Sequence, residues 1–321
     1  MGKPVVVVTR KLPNLVEDRM RSLLDARLNA DDTPMSPQAM IDACDGADVL
    51  SPTVTDSIDA DLIAALPGTV KLIANFGVGV NHIDLEAAAS RAIAVANTPD
   101  VLTDDTADLA MALMLAVPRR LAEGDRLART GGWTGWTPTF MVGRRVTGKK
   151  LGIVGMGRIG QAVARRARGF GMEIHYHNRR RLAEDTESAL GAIWRETLDD
   201  MLAEMDFVSI NCPQTEETFR LFDGPRLDRM ARRAILINTA RGGIVDEASL
   251  AERLADGRLA GAGLDVYEDE PAIHPVLPTL DNVVLAPHLG SATEEGRIAM
   301  GQKVIENILA FAAGEPLPDR V

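Results

Sequence analysis

Residues 151–171 read LGIVGMGRIGQAVARRARGFG, and this stretch decides the fold. An apolar run typical of a buried strand leads into a glycine turn, and a helical pattern follows the turn. Gly155, Gly157 and Gly160 give the spacing G-x-G-x-x-G. In that spacing the first glycine permits a tight turn, the second lets backbone approach a pyrophosphate, and the third lets helix and strand pack closely. A second apolar strand follows at 173–177, so the context favours a dinucleotide-binding turn over an ordinary glycine loop.

The overall composition is that of a globular protein with about two domains. At 321 residues the chain is too long for one ordinary compact core. The net charge of −11 argues against a nucleic-acid surface, which needs a clustered basic face. No apolar run reaches the ~18 residues that a membrane-spanning helix requires. Residues 5–8 indicate a buried strand and not a signal peptide, so a cytoplasmic protein is expected.

Cysteine and histidine spacings indicate no metal site. Cys44 and Cys212 are isolated, and buried reduced thiols are favoured over a disulfide between them. His175, His177 and His274 lack ligand-like spacing, so no metal is predicted.

Short apolar strands alternate with helical patterns through the rest of the chain, which predicts parallel sheets with helices on both faces. Before the glycine turn, strands are predicted at 5–9, 49–52, 71–75 and 94–97, and helices at 15–24, 37–43, 60–66 and 85–90. A long helix is predicted over 103–130, with a possible disturbance at Pro118, because proline removes a backbone hydrogen bond. After the turn, strands are predicted at 207–211, 234–239, 262–266 and 283–286, and a final helix at 292–312.

Three polar segments each follow one of these later strands. They are INTARGG at 237–243, GLDVYEDEP at 263–271 and APHLGSAT at 286–293. Because the carboxyl ends of parallel strands share one edge of a sheet, where ligands bind in open α/β folds, we expect Arg241, Glu270 and His288 to meet in one cleft.

These motifs resemble those of the D-isomer-specific 2-hydroxyacid dehydrogenases. The resemblance covers essentially the whole chain and includes NFGVGVNHID at 75–84 and DDTADLA at 104–110. Within the family, GGWTGW at 131–136 is most similar to the glyoxylate/hydroxypyruvate reductases. Formate dehydrogenases of the superfamily are similar but carry glutamine where Glu270 stands.

The predicted fold class is α/β, with two doubly wound parallel-sheet domains. Residues 1–100 together with 288–321 are predicted to form a discontinuous, flavodoxin-like substrate domain, because the final helix is expected to pack back on the first unit. Residues 101–287 are predicted to form a Rossmann dinucleotide-binding domain.

The three polar residues suit reduction of a 2-oxo acid. Histidine suits proton donation because its unperturbed pKa of ~6.5 lies near physiological pH, and a neighbouring carboxylate favours its charged form. We therefore predict His288 as the acid/base and Glu270 as its partner. Arg241 offers a charged fork that can hold a carboxylate and polarise a carbonyl. A surface ion pair, a solvated turn and a structural histidine are the alternatives for these residues.

The sequence after the second strand favours NADP(H) over NAD(H), although NAD(H) stays possible. Asn178 stands where an acidic residue would bind the ribose 2′-hydroxyl of NAD, and Arg179, Arg180 and Arg181 follow it. Arg179 and Arg181 are the leading candidates to contact a 2′-phosphate. The alternative is a solvated basic turn.

The resemblance implies further roles. It assigns the amides of Val78 and Gly79 to the substrate carboxylate, and places Trp136 in the substrate cleft of a partner subunit, with interface packing as the alternative. A homodimer is also implied. The remaining predicted cofactor contacts are Thr106, Gly155, Gly157, Arg158, Ile159, Gly160, Cys212, Pro213, Thr239, Ala240 and Asp265.

The sequence thus predicts an oxidoreductase that transfers a hydride from NADPH to the 2-carbonyl of glyoxylate or hydroxypyruvate. A reductase of larger 2-oxo acids such as phenylpyruvate is one alternative. A non-enzymatic dinucleotide-sensing corepressor is another, although the intact Arg, Glu and His favour an enzyme.

Overall fold

In the computed structural model the described residues 2–321 form two α/β units. The first comprises the chain up to Leu102 together with Thr293–Val321, and the second is Thr103–Ala292. Elements are numbered in chain order.

The first unit is a five-stranded parallel sheet in the order β2-β1-β3-β4-β5. Its strands are β1 (Val5–Val8), β2 (Asp25–Arg27), β3 (Val49–Ser51), β4 (Leu72–Ala74) and β5 (Ala94–Ala96). Its first helices are α1 (Asn14–Leu23), α2 (Pro37–Ala43), α3 (Ala60–Ala65) and α4 (Leu85–Ser90). The four predicted strands and four predicted helices are confirmed within about two residues at each end, whereas β2 was missed. β2 lies at the sheet edge and is mostly exposed, so it carries no apolar pattern.

Alternation along β1 explains why helices cover both faces of this sheet. Val6 and Val8 belong to one apolar cluster, whereas Val7 belongs to the other. Successive side chains of a strand point to opposite faces, so a continuous apolar strand needs cover on both sides.

The second unit is a seven-stranded parallel sheet in the order β12-β11-β10-β9-β6-β7-β8. Its strands are β6 (Lys150–Val154), β7 (Glu173–His177), β8 (Ala192–Trp194), β9 (Phe207–Ile210), β10 (Ile235–Asn238), β11 (Gly261–Leu264) and β12 (Val283–Leu285). Its helices are α5 (Thr103–Ala116), α6 (Leu121–Arg129), α7 (Arg158–Arg168), α8 (Glu184–Leu190), α9 (Leu198–Glu204), α10 (Gly224–Leu227) and α11 (Glu247–Ala255). The strand order reverses between β6 and β9, and ligands bind at such a switch point in doubly wound sheets.

The single long helix predicted over 103–130 is wrong. α5 ends at Ala116 and α6 begins at Leu121, with Pro118 between them and Arg120 in the left-handed region at φ 53°. Proline cannot donate the helical hydrogen bond, and the carbonyl of Pro118 instead accepts from the backbone N–H of Arg144 at 2.8 Å.

The last helix, α12 (Glu294–Ala313), packs within the first unit. Its side chains Met300, Val304 and Ile308 share an apolar cluster with Val16 and Met20 of α1. Among residues 2–321, no helix combines the length and the apolar character needed to cross a membrane.

Close contact between α12 and α1 leads to a stability prediction. A Cβ at Gly301 would overlap the side chain of Val16. Alanine favours an isolated helix over glycine by about 0.8–1 kcal/mol, but crowding a packed core costs about 1–3 kcal/mol. We therefore expect Gly301→Ala to lower the free energy of unfolding by up to about 2 kcal/mol in urea denaturation. The loss should be smaller in a Val16→Ala background, because the two γ-methyl groups nearest to the added Cβ are then absent, and an equal loss there would place the cause elsewhere.

Candidate functional site

The three glycines of the turn between β6 and α7 have different surroundings: two are packed against backbone, and one faces open space. Gly155 has φ 96°, and a Cβ there would lie 2.5 Å from the backbone nitrogen of Cys212. A Cβ at Gly160 would overlap the carbonyl oxygen of Gly155. An added Cβ at Gly157, by contrast, would meet nothing within 4 Å. The fold itself therefore requires glycine at 155 and 160, whereas Gly157 leaves room beside the first turn of α7, which begins with Arg158 and Ile159.

Two buried oxygens at neighbouring strand ends have no hydrogen-bond partner within the described chain. They are Asn211 Oδ1, after β9, and Thr239 Oγ1, after β10. A buried polar group without a partner costs about 1–3 kcal/mol, so these atoms suit contact with a bound polar ligand. The sequence indicated Thr239 but not Asn211, whose only signal was a polar residue directly after a buried strand.

Asn178 fastens the glycine turn to β7. Its Oδ1 accepts from the backbone N–H of Met156 at 2.7 Å, and the N–H of Gly155 donates to the carbonyl of His177 at 3.1 Å. An asparagine here therefore holds the turn in place and leaves no carboxylate at this strand end.

The two arginines predicted to contact a phosphate differ in their surroundings. Arg181 donates two hydrogen bonds to Glu187, at 2.9 and 2.8 Å, and its guanidinium lies 5.4 Å from the ring centre of Trp194. The hydrogen bond from Arg181, together with one from Tyr176, holds the pKa of Glu187 down at about 2. Arg181 is thus engaged in packing β7, β8 and α8, and its cofactor contact stays a prediction. Arg179 is mostly exposed, and its one ion pair with residues 2–321 is with Glu217, at 2.8 Å.

Asp265, directly after β11, organises the segment that carries His288. Its two carboxylate oxygens accept from the N–H groups of Leu289 at 2.6 Å and Gly290 at 2.8 Å, and its carbonyl accepts from the N–H of His288 at 2.9 Å. Burial raises the pKa of Asp265, while the two N–H donors oppose the rise. Thr106 Oγ1 also holds this segment in place by donating to the Gly290 carbonyl at 2.9 Å. Thr106 and Asp265 thus make hydrogen bonds within the protein, and their contacts with a cofactor stay predictions.

His288 and Glu270 form an ion pair. The distance between His288 Nδ1 and Glu270 Oε2 is 2.7 Å, and Glu270 Oε1 accepts from the N–H of Tyr267 at 3.0 Å. Burial alone would raise the pKa of Glu270, but the hydrogen bond and charge of His288 outweigh it and hold that pKa below its usual range. An ionised Glu270 requires a proton on Nδ1, which leaves Nε2 as the ring nitrogen that can exchange a proton with a ligand.

Arg241 belongs to the same group of side chains. Burial lowers the pKa of its guanidinium, and the charge of Glu270 opposes that shift. Its main chain is fixed by Asn238, whose Nδ2 donates to the Arg241 carbonyl at 2.9 Å. The structure therefore brings Arg241, Glu270 and His288 together, as their positions after neighbouring strands predicted.

Glu247 is a supporting residue that the sequence did not indicate. Its buried carboxylate accepts from the N–H groups of Glu268 at 2.9 Å and His274 at 2.6 Å, on either side of Glu270. A Cβ at Gly242 would overlap the backbone of Tyr267, so the backbones of these two residues lie directly against each other. The loop that carries Glu270 is thus held at both ends.

In the first unit, the carbonyl groups of the loop after β4 are hydrogen-bonded to asparagine side chains. Asn75 Nδ2 donates to the carbonyls of Gly77 and Gly79, both at 3.0 Å, and Asn97 Nδ2 donates to that of Val78 at 2.8 Å. His82 Nε2 lies 3.0 Å from Asn75 Oδ1 and orients that amide. Neither Val78 nor Gly79 donates its N–H to a hydrogen bond within residues 2–321. Two adjacent unused donors suit an anionic ligand, and the buried Asn75 arranges them.

The remaining predicted contacts have the following surroundings. Cys212 is half-buried, and burial raises the pKa of its thiol to about 11. The carbonyl of Pro213 accepts from Thr218, and the N–H of Ala240 donates to Asn238. Trp136 is 76% exposed.

Comparison with known proteins identifies the family. The family model for the D-isomer specific 2-hydroxyacid dehydrogenase NAD binding domain matches residues 111–290. The glyoxylate reductase of Thermococcus onnurineus is 44% identical over 99% of this chain and 96% of its own length. A protein of Thermus thermophilus of known structure is 44% identical with a TM-score of 0.91, covering 99% of both chains.

A more distant structure contains ligands. The NADPH-dependent glyoxylate/hydroxypyruvate reductase of Sinorhizobium meliloti, in complex with NADP and malonate, is 32% identical with a TM-score of 0.85, and the match covers 100% of this chain and 97% of that one. The match to the family model over more than half of the chain, together with full-length relatives well above 30% identity, establishes that this chain belongs to the D-isomer specific 2-hydroxyacid dehydrogenases.

Proposed function

We propose that this member of the family reduces glyoxylate or hydroxypyruvate with NADPH. The observation that carries the proposal is the His288–Glu270 ion pair, 2.7 Å long and electrostatically coupled to Arg241. A proton donor, its carboxylate partner and a fixed cation are the groups that reduction of a 2-oxo acid requires.

Each of these side chains has one role. His288 donates the proton to the carbonyl oxygen from Nε2, while Glu270 holds Nδ1 and stabilises the imidazolium. Arg241 polarises the carbonyl through its planar guanidinium. The nicotinamide ring, when bound, supplies the hydride to the carbonyl carbon. The unused N–H groups of Val78 and Gly79 bind the substrate carboxylate.

The glycine turn and the ends of β9 and β10 hold the dinucleotide. The open space at Gly157 admits the pyrophosphate, and the unpaired oxygens of Asn211 and Thr239 accept hydrogen bonds from the cofactor's hydroxyl or amide groups. The absence of a carboxylate at Asn178 and the exposed guanidinium of Arg179 support NADPH over NADH. The S. meliloti relative, in complex with NADP, is consistent with this preference.

We further propose a homodimer and a cytoplasmic location. No residue of α6 is fully buried against residues 2–321, and the segment that follows exposes Trp133 by 59% as well as Trp136. Aromatic side chains this exposed are typical of interfaces between subunits. Insertion of Trp136 into the substrate cleft of the partner stays a prediction.

The first test compares initial reduction rates with NADPH and NADH across glyoxylate, hydroxypyruvate, pyruvate and phenylpyruvate. We expect the highest kcat/KM with NADPH and the two oxygenated small acids. Preference for phenylpyruvate would reassign the substrate and keep the mechanism. Tight dinucleotide binding without turnover of any acid would contradict the enzymatic proposal.

The proton-donor role predicts the phenotype of a His288 variant. His288→Ala should lower kcat about 100- to 10,000-fold, because a positioned general acid contributes that much, while NADPH affinity stays nearly unchanged. Glu270→Gln retains a hydrogen-bond acceptor for Nδ1 but removes the charge that stabilises the imidazolium, so it should also lower kcat. A kcat close to wild type in His288→Ala would remove this residue from the mechanism.

The glycine turn predicts that two neighbouring substitutions have opposite effects. Gly157 has an extended backbone, φ −76° and ψ −159°, that any residue adopts, so Gly157→Ala should keep wild-type stability. Its methyl group would fill the space of the pyrophosphate and weaken NADPH by about 10-fold or more, equivalent to ~1.4 kcal/mol. Gly155→Ala should instead lower the free energy of unfolding by about 1–3 kcal/mol, because φ 96° is strained for alanine. Calorimetric titration and thermal melts measure both, and unchanged NADPH binding by Gly157→Ala would place the pyrophosphate elsewhere.

A further inference from the structure

An ion pair crosses the carboxyl end of β6, where the glycine turn stands. Arg179 follows β7, and Glu217 lies in the segment after β9. β6 lies between those two strands in the sheet. The 2.8 Å contact between Arg179 Nη1 and Glu217 Oε2 therefore joins the two loops that flank the turn.

Both loops are anchored close to this ion pair. Asn178, next to Arg179, accepts from the N–H of Met156 in the turn. On the other side, Thr218 Oγ1 donates to the Pro213 carbonyl at 2.7 Å and so fixes the turn that carries Glu217. The ion pair itself is exposed, with 80% and 69% of the two side chains accessible. Exposed pairs of long side chains are weak, so Arg179 can exchange Glu217 for another anion at little cost.

We propose that Glu217 sets how strongly this chain discriminates between NADPH and NADH, by competing with the 2′-phosphate for Arg179. The inference rests on the proposed function only in placing the adenosine ribose at the end of β7. Glu217 occupies the guanidinium that the phosphate needs, and its carboxylate repels the phosphate. NADH presents a neutral 2′-hydroxyl in the same place, so neither effect applies to it.

The neighbouring Arg181 does not remove this competition. Arg181 is engaged by Glu187 and stacks on Trp194. Arg179 is therefore the phosphate candidate whose guanidinium Glu217 controls, and Glu217 is a specificity-determining residue that acts through it.

The test measures the dissociation constants of NADPH and NADH at fixed ionic strength for wild type and for Glu217→Gln. We expect the variant to bind NADPH about 2- to 5-fold more tightly, the range that corresponds to loss of an exposed ion pair, with NADH nearly unchanged. The gain should be clearly smaller when Glu217→Gln is made in an Arg179→Ala background, because there is then no guanidinium to release and only the repulsion between Glu217 and the phosphate is relieved.

Glu216→Gln is the matched control, because it removes the same charge from the adjacent exposed residue, for which no pairing with Arg179 is observed. An equal gain in that variant, an unchanged NADPH/NADH ratio in Glu217→Gln, or an undiminished gain in the Arg179→Ala background would each overturn the proposal. The wild-type preference is a separate result. If wild type binds NADH more tightly, the proposed NADPH preference fails, yet a shift of the ratio toward NADPH in Glu217→Gln still supports the role of Glu217.

Discussion

The candidate active site depends on the buried carboxyl group of Asp265. The backbone N–H of this residue donates to the Asn238 carbonyl at 2.9 Å and so ties the end of β11 to the end of β10, which leads to Arg241. Its carboxylate and carbonyl together hold three consecutive N–H groups, from His288 to Gly290. One residue thus fixes the proposed carbonyl-polarising group and the proposed proton donor relative to each other. Such a site needs this rigidity, because small displacements of reacting groups cost large factors in rate.

The carboxyl groups of Asp265 and Glu270 differ in pKa because their surroundings differ. Asp265 is buried, and burial raises its pKa against the opposing effect of its N–H donors. Glu270 is about one-third exposed and contacts a histidine, and its pKa is lowered. Glu270 therefore stays ionised as the pH falls through the usual range of glutamate, and its contribution to stability, present above that range, is lost only at still lower pH. Glu270, which stays charged, is therefore suited to stabilise an imidazolium. Asp265, which is buried and accepts hydrogen bonds on both oxygens, is suited to hold the backbone in place.

Much of this architecture could be predicted from the sequence because buried strands and glycine turns leave strong local patterns. Arg241, Glu270 and His288 could be placed together because each follows such a strand. The edge strands Asp25–Arg27 and Ala192–Trp194 were missed, since each has only three residues and none of them is fully buried. The engagement of Arg181 by Glu187 and Trp194 could not be predicted either, because it depends on a helix and a strand that the local sequence does not specify.

The polar groups proposed for function lie at strand ends because the strands of the second sheet are themselves buried. Strands β9, β10 and β11 are buried at every residue, so a polar side chain with an unused group is costly within them and tolerable only where they end. Asn211, Thr239 and Asp265 stand at those three ends, and the first two keep unpaired oxygens while the third is fully bonded. The same edge therefore contains both polar groups without a partner, which we propose to bind the cofactor, and polar groups that hold the structure. Because local sequence treats all three alike, as a polar residue after a buried strand, only the hydrogen-bond partners of each side chain distinguish a binding atom from a structural one.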